Sequence, residues 1–154
     1  MNLIKQTAFA ALFLITAGLF SAVQAQEHAY RLSDREMREL LSRIDKQAER
    51  FRGSLKSALN HSRFDDSKTE DRINDFVKGF ENATERLKHQ YNEKRSASSE
   101  AEEVLNRAER INDFMERHHL SAKAESDWGA LRSNLDELAS AYNVSWSWTE
   151  RHQR

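Results

Sequence analysis

The stretch LSDREMRELLSRIDKQAERFRGSLKSAL, residues 32–59, decides the fold of this chain. Its apolar residues recur at alternating intervals of four and three: Met37, Leu41, Ile44, Ala48, Phe51, Leu55 and Ala58. A helix presents such a series on one face, whereas a strand would divide it between two faces. Because a helix with so long an apolar stripe is not stable alone in water, the pattern predicts partner helices.

The same spacing returns three more times further along the chain. Its apolar positions are Ile73, Phe76, Val77, Phe80, Ala83, Leu87 and Tyr91, then Ala97, Ala101, Val104, Ala108, Ile111, Met115 and His118, then Ala124, Trp128, Leu131, Leu135, Leu138 and Tyr142. We predict helices over about 33–60, 67–93, 98–119 and 121–143. Residues 92–99 gather serines, which favour helix ends, so we separate the second and third helices. One unbroken helix over 67–119 is the alternative.

Helix start signals support these boundaries. Ser33 is placed to cap the first helix, and Glu36 three residues later completes a capping-box pattern. Ser67 and Glu70 repeat that spacing, and Ser121 stands where the fourth helix begins. For three of the four helices, these capping residues therefore place the helix start just before the apolar stripe begins.

The composition favours long helices joined by short connections. The chain has 154 residues with no proline and four glycines, the two residue types that interrupt helices. Four helices with short connections run antiparallel to their sequence neighbours. We therefore predict an all-α, antiparallel, up-down-up-down four-helix bundle. We expect residues 144–154 to form a short extended C-terminal tail, since Val144, Trp146 and Trp148 alternate with polar residues.

The N-terminus has the pattern of a secretory signal peptide. Lys5 is the only charged residue in 1–25, a mainly apolar run follows, and small residues at Val23 and Ala25 favour cleavage after Ala25. Residues 26–32 are then a polar lead-in to the bundle. The pattern predicts a periplasmic or secreted protein with no stable membrane span after processing, and an uncleaved anchor is the alternative.

Charge and cysteine content exclude several classes of function. Lysine plus arginine number 24 against 25 for aspartate plus glutamate, so charge gives no reason to expect nucleic acid as a partner. There is no cysteine, which excludes disulfides, thiolate metal sites, covalently attached haem and a lipoprotein anchor.

Some residues on the apolar stripes have side chains that can ligate metals. Met37, Met115 and His118 could serve as axial haem ligands, but methionine at such positions usually packs. Glu116 and His119 match half of a di-iron motif, and no second Glu-x-x-His occurs in the chain. We predict no catalytic residues, no cofactor and no metal.

The aromatic residues near the C-terminus are the candidate interaction surface. Tyr142, Trp146 and Trp148 could present their rings to a sugar, a membrane surface or a protein partner. Packing at the end of the bundle is the plainer interpretation, because tryptophan usually buries its ring.

Three blocks of sequence resemble a family of short exported bacterial helical proteins of unassigned function. The blocks are residues 51–55 (FRGSL), 80–87 (FENATERL) and 135–146 (LDELASAYNVSW), and the resemblance extends over about 37–148. It implies an exported helical protein and supplies no activity, substrate or site residue.

These observations lead to a functional hypothesis. The sequence favours a non-enzymatic exported bundle that binds another protein or an envelope component. The alternative is a haem- or metal-binding periplasmic bundle that uses Met115, His118 or His119. A third hypothesis is a self-assembling stress protein.

Overall fold

The computed structural model describes residues 32–148, which form four helices and no strand. The helices are α1 (Asp34–Asn60), α2 (Lys68–Asn92), α3 (Ser98–Arg117) and α4 (Ala122–Ala141). The predicted all-α four-helix bundle is confirmed. The proposed signal peptide, most of the polar lead-in and residues 149–154 of the tail lie outside the described residues.

Serine side chains cap three of the four helices. At α1 the capping box is complete: the Ser33 hydroxyl accepts from the Glu36 amide at 3.3 Å, and the Glu36 carboxylate accepts from the Ser33 amide at 2.7 Å. These hydrogen bonds hold the pKa of Glu36 below its usual value. Ser67 and Ser121 cap α2 and α4, whereas Ala97 at the start of α3 provides no side-chain cap.

Contacts between helices establish the antiparallel arrangement. The Tyr91 hydroxyl, near the end of α2, donates to the Asp34 carboxylate at 2.7 Å, at the start of α1. Arg43 of α1 forms a 2.7 Å ion pair with Glu137 of α4. The closest helix pairs are α1 with α4 and α2 with α3. At Gly79 the approach is so close that an added Cβ would lie 2.9 Å from an Arg107 nitrogen.

The predicted apolar stripes meet in one core. Ile44, Ile111 and Leu135 are 0% exposed and Phe80 is 1% exposed, so all four stripes face inward. This burial supplies the driving force that the individual helices lack. Within the described residues, no helix is long and apolar enough to cross a membrane.

The third helix is shorter than the sequence predicted. α2 ends at Asn92 and α3 begins at Ser98, so the two are separate helices. We expected the third helix to continue to about residue 119, but α3 ends at Arg117. His118 leaves the helix with φ −130° and ψ 95°, and its ring packs 4.6 Å from that of Phe114. This aromatic contact accompanies the early end of the helix.

Two helices end in a left-handed residue that is not glycine. Lys94 has φ 54° after α2 and Asn143 has φ 53° after α4. In each case the following amide donates to the carbonyl five residues earlier: Arg95 to the Gln90 carbonyl at 3.1 Å, and Val144 to the Ala139 carbonyl at 2.8 Å. With the shorter bonds beside them, these are Schellman motifs, in which glycine is the usual left-handed residue.

The strain at Lys94 gives a stability prediction. Lys94→Gly is expected to raise the free energy of unfolding by about 1 kcal/mol, because glycine adopts positive φ without a Cβ clash. Urea denaturation followed by circular dichroism measures the change. Glu93→Gly is the matched control and should lose stability, since Glu93 has φ −79°. A loss of stability in Lys94→Gly would contradict the left-handed assignment.

Candidate functional site

After α4 the chain turns back across the bundle, and the described part of the tail is residues 144–148. The Trp148 indole N–H donates to the Asp136 carboxylate of α4 at 2.6 Å, so the tail folds back along α4. Trp146 lines a surface depression together with Glu102 and Asn106 of α3. The tail therefore lies over the side of the bundle formed by α3 and α4, which we call the α3–α4 face.

Four rings form an aromatic cluster where the tail meets the bundle: Phe51, Trp128, Trp146 and Trp148. Trp146 and Trp148 are in edge contact with centroids 5.3 Å apart, and Trp148 lies 6.0 Å from Trp128. Trp128 in turn packs 5.1 Å from Phe51 of α1. The Arg132 guanidinium lies 4.7 Å above the Trp148 ring, a cation–π contact. The cluster thus joins the tail to the core.

The three residues predicted as an interaction surface differ in exposure. Trp148 is 9% exposed and belongs to the core, whereas Trp146 and Tyr142 are half-buried and pack against it. Burial, with a smaller contribution from Glu100, raises the pKa of the Tyr142 hydroxyl. Trp146 and Tyr142 are therefore the residues of this set that retain contact with solvent.

A buried asparagine connects the aromatic cluster to the surface. Asn112 is 0% exposed. Its side-chain oxygen accepts from the Trp128 indole N–H at 3.2 Å, and its amide nitrogen donates to the Glu116 carboxylate at 2.8 Å. Sequence analysis missed this residue. Its signal was position, because Asn112 continues the three-and-four spacing of Leu105 and Ala108.

Beside the aromatic cluster lies a cleft of about 240 Å³, which we call the α3–α4 cleft. Its lining residues come from the end of α3, the connection and α4: Asn112, Met115, Glu116, His119, Glu125, Trp128, Gly129 and Arg132. A Cβ at Gly129 would have no atom within 4 Å, so this wall of the cleft is open. The cleft combines an apolar base with charged side chains.

The charged side chains of the α3–α4 cleft differ in the contacts that they make. Arg132 is engaged with the Trp148 ring, and the Glu125 carboxylate lies 3.2 Å from the His119 Nδ1. Among residues 32–148, neither Glu116 nor Glu125 forms an ion pair with a lysine or arginine. Two carboxylates therefore face the cleft with spare acceptor capacity.

The structure separates the residues considered as haem or metal ligands. Met115, Glu116 and His119 share the α3–α4 cleft, whereas Met37 lies at the opposite end of the bundle near the start of α1. His118 does not line the cleft and packs between Phe64 and Phe114. In the part of the chain that the structure describes, no group of three or more potential ligands is placed to hold a metal ion.

His118 gives a prediction for pH dependence. Burial, and to a smaller extent Arg117 and Arg63, lower the pKa of His118. The fold therefore favours neutral histidine, and its contribution to stability is present above the unfolded pKa of about 6.5 and falls as the pH drops below that value. His118→Phe, which keeps an aromatic ring, should reduce the loss of stability between pH 7 and 5.

The neighbouring histidine provides a matched control for that measurement. His119→Phe replaces an exposed ring outside the aromatic stack, so it shows how much of any effect comes from exchanging a histidine for phenylalanine at this end of the bundle. Urea denaturation at several pH values compares the three proteins. Equal slopes for wild type and His118→Phe would contradict the role assigned to His118.

A second depression, of about 230 Å³, lies between α1 and α2 and is strongly ionic. Lys88 pairs with Asp45 at 2.6 Å, and Arg52 lies 3.5 Å from Glu81. Burial raises the pKa of Glu81, opposed by Arg52 and reinforced by Glu49 and Asp45. Two ion pairs therefore join α1 and α2 beside this depression, and Glu49 and Glu85 add further negative charge to its lining.

The α3–α4 face is thus the part of the described surface where aromatic rings, an open cleft and uncommitted charge occur together. Its side chains project from helices and from a tail fixed by hydrogen bonds, which gives the cleft a defined shape. Comparison with protein-family models, with curated proteins and with solved structures found no match to this chain.

Proposed function

We propose that this chain is a non-enzymatic exported protein that binds another protein or an envelope component through its α3–α4 face. The observation that carries the proposal is the α3–α4 cleft, which lies directly beside the aromatic cluster. The signal-peptide pattern in 1–25 supports export.

The side chains on this face are those that protein interfaces favour. Tryptophan, tyrosine and arginine are enriched at binding hot spots, where they are held in place by their neighbours. Trp146 is half-buried, and Arg132 is held over the Trp148 ring. Because these groups are already ordered in the free protein, binding costs little conformational entropy.

Site-specific photo-crosslinking tests the proposal with a matched pair of positions. A benzophenone amino acid is placed at Gly129 in the cleft or at Gly53 on α1, since both are exposed helical glycines with room for a side chain. Irradiation in the native host should give a discrete crosslinked species from position 129 and none from position 53. Identical patterns from the two positions, or no product from either, would refute binding through this face.

Met115 and His119 line the same cleft, which keeps the haem- or metal-carrier alternative as a second candidate. The two proposals predict different colour and metal content for the purified protein. The binding module should be colourless and free of stoichiometric metal. Visible absorption from haem, or about one metal ion per chain by elemental analysis, would favour the alternative.

A further inference from the structure

We propose that the α3–α4 cleft binds the side chain of one lysine or arginine from an extended segment of the partner protein. The inference rests on the proposed function and names the chemistry of the recognised group. It follows from the size, charge and lining of the cleft.

The size of the cleft suits a single side chain. Its volume is about 240 Å³, below the roughly 300–1,000 Å³ typical of sites that enclose a whole small molecule or cofactor. The cleft is open at the surface beside Gly129, which lets a side chain enter while its backbone remains outside.

The charge of the cleft suits a cation. Four titratable side chains line it: Glu116, Glu125, His119 and Arg132. Arg132 is engaged with the Trp148 ring, and His119 shares one carboxylate oxygen of Glu125. The remaining acceptor positions of the two glutamates can form charge-assisted hydrogen bonds to an ammonium or guanidinium group.

The lining suits the rest of a lysine or arginine side chain. Met115 and Trp128 provide apolar surface against which the aliphatic stem can pack. Asn112 holds Glu116 through a 2.8 Å hydrogen bond, so this carboxylate is oriented before the ligand arrives. A long cationic side chain can lay its apolar stem across Met115 and Trp128 and turn its charged end outward to Glu116 and Glu125, whose side chains are exposed at the rim.

Peptide titration tests the proposal. The probe is a pentapeptide with one central arginine between alanines, and its neutral control replaces arginine with citrulline. Binding is measured by NMR from the shift of the Trp128 indole N–H resonance. The protein used is the full chain after removal of any leader. The arginine peptide should bind with a dissociation constant on the order of 1 mM. The citrulline peptide should bind at least tenfold more weakly.

Two variants separate the cleft from general surface charge. Glu125→Gln should weaken binding of the arginine peptide about fivefold, the effect of losing one partly exposed charge pair. Glu85→Gln removes an exposed carboxylate on α2 and should leave the affinity unchanged. Equal affinity of the arginine and citrulline peptides, or equal effects of the two variants, would overturn the proposal.

The outcomes also distinguish this inference from the proposed function. Crosslinking at Gly129 together with no preference for arginine over citrulline would remove the inference and leave the binding function intact. A variant ending at Trp148 that binds the arginine peptide at least tenfold more tightly than the full chain would overturn the inference in favour of residues 149–154 as occupant. Self-association that Glu125→Gln abolishes would overturn it in favour of a second copy.

Discussion

Phe51→Ala is expected to lower the free energy of unfolding by about 4 kcal/mol, as is typical when a large buried aromatic side chain is truncated. Phe51 is 1% exposed, and its ring packs 5.1 Å from that of Trp128. The change removes apolar contact from α1 and leaves a cavity under the aromatic cluster. Domains of this size are stable by only about 5–15 kcal/mol, so much of the folded population is lost on mild heating.

A second phenylalanine provides the comparison. Phe76 on α2 is half-buried, with the Arg110 guanidinium 6.0 Å from its ring centroid. Phe76→Ala should therefore cost about 1 kcal/mol, since its ring already contacts solvent. Urea denaturation followed by circular dichroism measures both variants. Equal losses would mean that Phe51 does not occupy the core position described here.

Asn112→Ala is expected to cost about 2–3 kcal/mol, although asparagine is a polar residue in the middle of a helix. The substitution leaves the indole N–H of Trp128 buried without its acceptor, and an unsatisfied buried donor is expensive. It also frees the Glu116 carboxylate from its 2.8 Å hydrogen bond. The first effect should dominate, because Trp128 is 4% exposed while Glu116 lies at the surface.

A double-mutant cycle separates the two effects. In a Trp128→Phe background there is no indole N–H to strand, so Asn112→Ala should cost only about 1 kcal/mol. The coupling between the two positions is then about 1–2 kcal/mol, measured by urea denaturation of the four proteins. Strictly additive losses would show that the hydrogen bond contributes nothing to stability.

The apolar spacing predicted the four helices because the residues that recur at this spacing are the ones that each helix buries in the core. Ile44, Phe80, Ile111 and Leu135 were expected to face inward, and each is at most 1% exposed. The Ser33 capping box was also visible in the sequence, since its two partners lie three residues apart. Over α1, the capping box and the apolar stripe therefore both predicted what the structure shows.

Other features depend on contacts that a single sequence does not display. Asn112 was missed because a polar residue on an apolar stripe shows its role only when its partner, Trp128, is known. The left-handed caps at Lys94 and Asn143 were not predicted, because neither position carries the glycine that usually marks such a cap. The α3–α4 cleft was not predicted, since its shape depends on how the tail and two helices meet.

The close pairing of α1 with α4 has a consequence for the order in which the molecule can assemble. Arg43 bonds to Asn134 and Glu137 across 91 and 94 positions of sequence, whereas α2 and α3 are close neighbours joined by a short connection. Closing the short connection between α2 and α3 costs less chain entropy than bringing α1 to α4, so the α2–α3 hairpin can form while the first helix still lacks its nearest partner. The bundle is complete only when the two ends of the described chain have met.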